Sequence, residues 1–512
     1  HRWEESRENC GGEFDIEGFG NTMSVQYGQK LVVLFFISSV LHLQQFLMLP
    51  VLSRNLGLEV YGIWSQLSAA VNLLVPLALL ALPDSFVRFS AGERERKVVA
   101  MNYYTILTTI AISAFVFAGI FYGLSSWVSL TFIQVKQEVT HLVQLASLML
   151  FFQVLAQYST TYFSAFQREK AFSFFQFFQG TATLSVVLLV VYWGGDLASV
   201  LLAFAGMHFF RFSIAQLLIV GEIGLGGPRK ELLQSFMAYS LPLVPMSILN
   251  WVLNLSDRYV IGFFLPLGDV AKYSACYSIS MVLQFIYAPF FLFLLPKLTS
   301  LWKQGQVSAV RKILNYSNKL PLLIAVPSVC GLGILHGPIL KTITGKTVEV
   351  PFSLMPIICI GLLFFYIGSF YAQVFSLAKK TKFITLGFSL AAVANIAGNI
   401  VLVPWIGIIG AAYMTLLTFL LQMLYYKSKA KPLFNVRLSW GFLWKCIAAA
   451  CIMTSLLLFF QEFIVDYSAL AQITLSAALG TVVYLVSCVI LRVFSREEIE
   501  SLLDVAKGVI RV

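Results

Sequence analysis

The octapeptide Pro76-Leu-Ala-Leu-Leu-Ala-Leu-Pro83 returns 213 residues later as Pro289-Phe-Phe-Leu-Phe-Leu-Leu-Pro296. The spacing holds along the chain. Leu56-Gly57 and Tyr61 return as Leu267-Gly268 and Tyr273, Phe163-Ser164 with Arg168 and Lys170 as Phe375-Ser376 with Lys380 and Lys382, and Trp193 and Gly195 as Trp405 and Gly407, at offsets of 211 to 212. Proline pairs and Trp-Gly turns are not generic apolar content, so the chain reads as two copies of one unit.

What the unit is made of follows from composition. Of 512 residues, 59% are hydrophobic and 12% charged, with 45 Phe and 21 Tyr. A soluble domain carries roughly 25% charged residues. Each bilayer crossing needs about 20 mostly apolar residues, and fourteen such runs fall between residues 31 and 491. They are too long and too uniformly apolar for barrel strands, and a backbone in lipid must satisfy its own hydrogen bonds, so they are expected to be helices. Each copy then holds six helices, an even number, which gives both copies one orientation about an axis along the membrane normal.

The expected fold is thus an all-α polytopic membrane protein of about 14 spans: two pseudo-symmetric six-helix lobes plus two C-terminal helices. The expected division is a leader and cytoplasmic N-terminus over 1–30, an N-lobe over 31–220 and a cytoplasmic linker over 221–240. A C-lobe over 241–430, helices 13 and 14 over 431–491 and an amphipathic tail over 492–512 follow. Residues 1–22 hold six acids, two basic residues and no apolar run, and read as a non-native leader before a start at Met23. In the tail, Ser495 and Glu498 form a capping-box pattern ahead of an apolar face.

Basic residues orient the spans. Loops after even-numbered helices carry 20 Lys and Arg, and loops after odd-numbered helices carry six. Positive loops stay in the cytoplasm, so both termini are expected there. The net charge of +11 is explained by those loops and requires no nucleic acid.

Polar groups inside the spans mark the expected site. Ser247, Asn250, Asn254 and Asp257 step by three, four and three along helix 7, one face of a helix. The repeat aligns Asn250, Asn254 and Asp257 with Ser38, His42 and Gln45 of helix 1, so helices 1 and 7 are expected to face each other across a central cavity. Asp257 and Arg258 lie inside the span, where a charge costs about 2.5–3.5 kcal/mol on insertion scales unless it meets water or a partner. The pair reads either as two interhelical salt bridges or as cavity lining, and cavity lining is the expectation. His208 and Arg211 share a face of helix 6 and suit either an anionic substrate or snorkelling to the cytoplasmic surface. Gln153, Gln157 and Thr160 on helix 4 read as helix packing.

Several chemistries are missing. Gly345-Lys346-Thr347 imitates the end of a phosphate-binding loop, but Leu340 stands where its first glycine belongs. There is no HExxH, no GxSxG and no metal-spaced His/Cys cluster. Seven cysteines without a CxxC pair indicate neither zinc nor a disulfide framework. No cofactor and no enzymatic activity are expected.

The stretch Leu52-Ser-Arg-Asn-Leu-Gly-Leu-Glu-Val-Tyr-Gly62, Asp257-Arg258 followed by Gly262, the Leu267-Gly268 to Tyr273-Ser274 turn and Pro404-Trp-Ile-Gly407-Ile-Ile-Gly410-Ala-Ala412 carry a resemblance. Over roughly residues 28 to 430 the chain resembles the polysaccharide transporter, or O-antigen flippase, family of the multidrug, oligosaccharidyl-lipid and polysaccharide exporter superfamily. The resemblance implies a secondary transporter of the bacterial inner membrane. Its substrate would be an undecaprenyl-diphosphate-linked oligosaccharide moved to the outer leaflet, and its partners membrane lipids, a polysaccharide polymerase and a chain-length regulator. It also implies a cationic cavity, which makes Arg54, Arg211, Arg258 and Lys272 candidates for holding the diphosphate or acidic sugars. Arg211 has Met423 as its counterpart in the second copy. A multidrug or cation antiporter of the same superfamily and a membrane glycan polymerase or ligase are the alternatives.

Overall fold

The computed structural model describes residue 44 and residues 46–133, 139–316, 319–434 and 440–493. The leader, the tail from Ser495, and Ser38, His42 and Gln45 lie outside the described residues. A helical stretch over 46–55 (α1) is followed by α2 (Leu58–Leu79), α3 (Arg96–Gly123), α4 (Thr140–Ala165), α5 (Glu169–Tyr192) and α6 (Leu197–Ile223). The second half holds α7 (Val244–Phe264), α8 (Leu267–Ser280), α9 (Lys319–Ile334), α10 (Leu354–Leu377), α11 (Lys382–Ile406) and α12 (Ile408–Ala430). Two further helices, α13 (Trp440–Ile464) and α14 (Ala469–Ile490), end the described chain.

Eleven described helices are long and apolar enough to cross a membrane, or twelve if Pro321–Ile334 and His336–Thr344, bent by 72°, form one span. The expected count of fourteen is not reached. Most of the first expected span lies outside the described residues, and the eighth is divided at Met281 between α8 and a further helix, Val282–Lys303. Pro76 stays inside α2, and the chain turns at Leu80 and Ala81, with φ 52° and 51°, before Pro83 opens a short helix, Leu82–Ser90. The expected linker contains a helix, Lys230–Ser240, that leads through a 3₁₀ turn at Pro242 into α7. Ser85 Oγ donates to Phe236 O at 2.8 Å, docking this helix on Leu82–Ser90.

The duplication is written in the backbone. After α4, Gln167 adopts φ 53° and Arg168 N–H donates to Phe163 O. After α10, 212 residues on, Lys379 adopts φ 54° and Lys380 N–H donates to Phe375 O. Both are left-handed helix ends that satisfy carbonyls of the last turn. Packing repeats as well, since α4 lies on α6 as α10 lies on α12, and α5 lies on α6 as α11 lies on α12.

Large apolar side chains cover the outside, among them Phe115, Leu217, Val393 and Val489, as a lipid-facing surface requires. Trp193 and Trp405, repeat counterparts, are 77% and 84% exposed at helix ends, where amphipathic rings sit at a membrane interface.

The lobes meet through α2, which packs on both α7 and α8. Gly62 makes the approach possible: a Cβ there would stand 3.1 Å from Ala271 Cβ and 3.2 Å from Leu267 O. Around it, Ser65 Oγ donates to Ser274 Oγ at 2.8 Å, Gln66 Nε2 to Arg258 O at 3.0 Å, and Tyr259 OH to Gln66 O at 2.9 Å. These bonds gather where α2 and α8 begin and α7 ends.

Candidate functional site: a polar cavity between the lobes

Below that junction lies a cavity of about 670 Å³. Its lining runs along α2 from Tyr61 to Pro76 and along α7 from Arg258 back to Met246. α4 contributes Gln153, α6 contributes Phe204 and His208, and α8 contributes Tyr277 and Ser278. Gln179 and Thr183 enter from α5, where a π-helical turn, Phe178–Ala182, rotates the chain. Such turns re-aim single side chains and recur at functional sites.

The chemistry of the wall is mostly neutral. Amides project from Gln44, Asn72, Gln153, Gln179, Asn250, Asn254 and Gln284, alongside the rings of Tyr61, Trp64, Trp251 and Tyr277. Trp251 Nε1 donates to Ala69 O at 2.7 Å, fixing that ring against the other lobe. Among the described lining residues there is no Asp, Glu or Lys, and Arg258 carries the one fixed charge. The Arg258 guanidinium lies 6.0 Å from the centre of the Tyr277 ring, an attraction that steadies it without neutralising it.

The structure brings together Asn250, Asn254 and Arg258 from the expected set. Asp257 is placed elsewhere. A helix turns 100° per residue, so the stripe that begins at Ser247 continues through Asn254 to Arg258, and Asp257 points into the C-lobe at 1% exposure. Its carboxylate accepts from Asn399 Nδ2 at 2.6 Å, Tyr273 OH at 2.7 Å and Thr415 Oγ1 at 3.0 Å. Asn395 Oδ1 in turn accepts from Asn399 Nδ2 at 3.1 Å and Ser256 Oγ at 3.2 Å. Neither Asp257 nor Arg258 forms a salt bridge among the described residues, and Lys272 pairs with Asp269 at 3.7 Å outside the lining. Arg54 is exposed and donates to the carbonyls of Thr342 and Ile343, away from the cavity. Arg211 is buried on α6, one turn beyond His208.

Sequence reasoning missed the aromatic walls and most of the amides. One signal was available: Asn72 and Gln284 are 212 residues apart, so the repeat places an amide at the same point of each lobe.

Residues 27–302, more than half of the chain, match the family model described as "Polysaccharide biosynthesis protein". The chain belongs to the polysaccharide biosynthesis protein family. A relative of this family member is the probable low-salt glycan biosynthesis flippase Agl15 of Haloferax volcanii, 18% identical over 251 residues. That match covers 49% of the chain and spans about half, 53%, of the relative's length. In three dimensions the chain is similar to the lipid II flippase MurJ in its inward closed conformation, with a TM-score of 0.72 and 14% identity over 91% of this chain and 99% of that one. An inward-facing multidrug resistance MATE family transporter of the MOP superfamily superposes with a TM-score of 0.56 and 13% identity, over 76% of this chain and 95% of its own. The fold of this polysaccharide biosynthesis protein is therefore that of the MurJ and MATE transporters, a multi-pass membrane architecture.

Proposed function

We propose that the protein is a flippase that moves a lipid-linked oligosaccharide across a bacterial cytoplasmic membrane. In this reading the substrate is an undecaprenyl-diphosphate-linked repeat unit of a surface polysaccharide such as O-antigen, and the lobes rock to open the cavity to each side in turn. The observation that carries it is the make-up of the cavity: neutral amides, hydroxyls and aromatic faces around one guanidinium. Amides and hydroxyls match the hydroxyl-rich body of a sugar, rings suit its apolar faces, and Arg258 suits a diphosphate. A volume of about 670 Å³ lies within the usual range for small-ligand sites. The bonds that join α2 to α7 and α8 lie on the side that the distribution of basic residues assigns to the exterior, so the cavity belongs to the cytoplasmic half of the cycle. The absence of carboxylates from the described lining speaks against a cation antiporter.

The test is deletion of the gene followed by complementation. Lipid-linked repeat units should accumulate facing the cytoplasm, the wild-type chain should restore surface polysaccharide, and Arg258→Ala should not, at equal protein level. Accumulation of unpolymerised glycan already exposed outside would favour a polymerase or ligase instead. Drug resistance on overexpression, with unaltered polysaccharide, would favour an antiporter.

A further inference from the structure

A row of four aromatic rings leads out of the cavity through the junction that closes it. Trp251 lines the cavity, and the ring of Tyr259 stands 5.7 Å from it, centre to centre. Phe132 follows at 5.1 Å from Tyr259, and Trp127 at 5.4 Å from Phe132. The first two rings belong to α7. The last two come from the other lobe, where the chain between α3 and α4 forms a short helix, Ser125–Val128, and a π-helical turn, Ser129–Ile133, that packs on α7. Gly262 lets this turn seat, since a Cβ there would stand 2.7 Å from Phe132 O. The distribution of basic residues assigns the segment to the exterior, and Trp127 ends the row 55% exposed.

The duplication supplies an internal control. At the 212-residue offset the segment corresponds to His336–Thr344, the helix whose last turn Arg54 of α1 binds. The positions equivalent to Trp127, Phe132, Trp251 and Tyr259 hold Ile339, Thr344, Ser39 and Leu47. The same kind of external contact is therefore made in the other half by a guanidinium on carbonyls, with no aromatic residue at any of the four places. Joining a loop of one lobe to a helix of the other does not by itself call for rings.

We propose that Trp127, Phe132, Tyr259 and Trp251 form a carbohydrate-binding exit path, along which the pyranose rings of the departing oligosaccharide pass from the cavity to the exterior. The reading rests on the flippase function above for the direction of travel. An aromatic ring is negative on its face and positive at its edge, so a face that takes the edge of another ring also takes the C–H groups of a sugar. Phe132 meets Tyr259 at 76° and Trp127 meets Phe132 at 84°, both edge-to-face. In the closed state the rings hold one another, and as the lobes part each exchanges a ring for a sugar. Several weak, similar contacts in sequence let a ligand leave without a deep trap. An exposed Trp alone is ordinary at a membrane interface; this one continues a row that begins in the cavity.

Glycan export in the complemented deletion strain tests the path, and contact with sugar is read by saturation-transfer NMR on the full chain in lipid nanodiscs, with the neutral maltohexaose as probe. Trp127→Leu and Phe132→Leu keep apolar bulk and lose the ring, so each should export at least ten-fold less at equal protein level and melting temperature. Trp127→Tyr should restore export to within about three-fold of wild type. The maltohexaose signal should fall by at least half in Trp127→Leu. Labelling of Ser68→Cys in the cavity by a membrane-impermeant maleimide should be the same with Phe132→Leu as with the native ring, which separates sugar contact from sealing. Wild-type export by both leucine variants, or a maltohexaose signal that ignores Trp127→Leu, overturns the proposal and leaves the flippase reading standing. A rise in Ser68→Cys labelling that accompanies the loss of export also overturns it, because the rings would then serve only as a plug. If the wild-type chain moves no glycan while a Trp127-dependent signal persists, the flippase reading falls and the carbohydrate site stands.

Discussion

The hydroxyl of Ser65 on α2 donates to the hydroxyl of Ser274 on α8 at 2.8 Å, and this bond crosses from one lobe to the other. Gly62 lies one turn before Ser65 and leaves room for the helices to touch, while Tyr61 OH meets Ser278 Oγ at 3.0 Å beside it. The contact is made of small residues and single hydrogen bonds, each worth about 0.5–1.5 kcal/mol net. An interface of that kind closes without being permanent, which a rocking mechanism requires.

Replacing both serines by cysteine converts this contact into a lock. Their Oγ atoms are 2.8 Å apart, near enough for two sulfur atoms to bond with small adjustments. Oxidation of Ser65→Cys/Ser274→Cys should abolish export and reduction should restore it, while either single variant should be insensitive to oxidant. Unchanged export with the crosslink verified by gel shift would mean that this junction need not open.

The Asp257 carboxylate is a structural hub. Removing it in Asp257→Ala leaves the donors of Asn399, Tyr273 and Thr415 without their acceptor, at about 1–3 kcal/mol for each group that finds no substitute. The variant should therefore unfold at markedly lower temperature in detergent. Tyr273→Phe, which removes one donor and leaves two, should lose less. Equal melting of Asp257→Ala and wild type would show that water already fills the network.

Much of this was legible in the sequence, for reasons that particular residues illustrate. The duplication could be read because turn chemistry is local: an identical Phe-Ser pair stands at the same spacing before each of the left-handed ends at Gln167 and Lys379. The polar stripe of α7 was legible to within one residue, since a period of 3.6 fits Asp257 and Arg258 almost equally until the rest of the face is known. Partners were not legible. Lys272 meets Asp269 and Arg54 meets Thr342, pairings set by tertiary contacts and short-range geometry rather than by charge counts. The π turn that aims Gln179 leaves no mark in composition.

The helix start at Asp196 gives a pH-dependent prediction. Its carboxylate accepts from the backbone N–H of Ser199 at 2.9 Å and from the Ser199 hydroxyl at 2.8 Å, and the backbone bond, then the hydroxyl bond, hold its pKa below the ordinary Asp range. A depressed pKa means that the stabilisation is full above the unfolded-state value and is lost as pH falls through the folded-state value. Asp196→Ala should cost about 0.5–2 kcal/mol at neutral pH, as N-cap losses do. The difference in melting temperature from wild type should narrow as the pH is lowered into the acid range. A gap independent of pH would show that the cap acts through geometry alone.

Arg54 joins two segments at the end of the bundle. Its guanidinium donates to the carbonyls of Thr342 and Ile343, in the last turn of the His336–Thr344 helix before the left-handed Gly345 at φ 75°. Those carbonyls carry the negative end of the helix dipole and are otherwise without intrahelical donors. Arg54 thus ties the end of α1 to the C-lobe by charge and shape together, and a lysine, with a single ammonium, cannot span two adjacent carbonyls in the same way. Arg54→Ala should loosen this end of the bundle, and Arg54→Lys should do so in smaller measure. With Ser65→Cys as reporter, labelling by a membrane-impermeant maleimide should rise several-fold in Arg54→Ala relative to the native arginine, with Arg54→Lys between the two. Equal labelling in all three backgrounds would show that the Ser65–Ser274 contact holds the lobes together without help from Arg54.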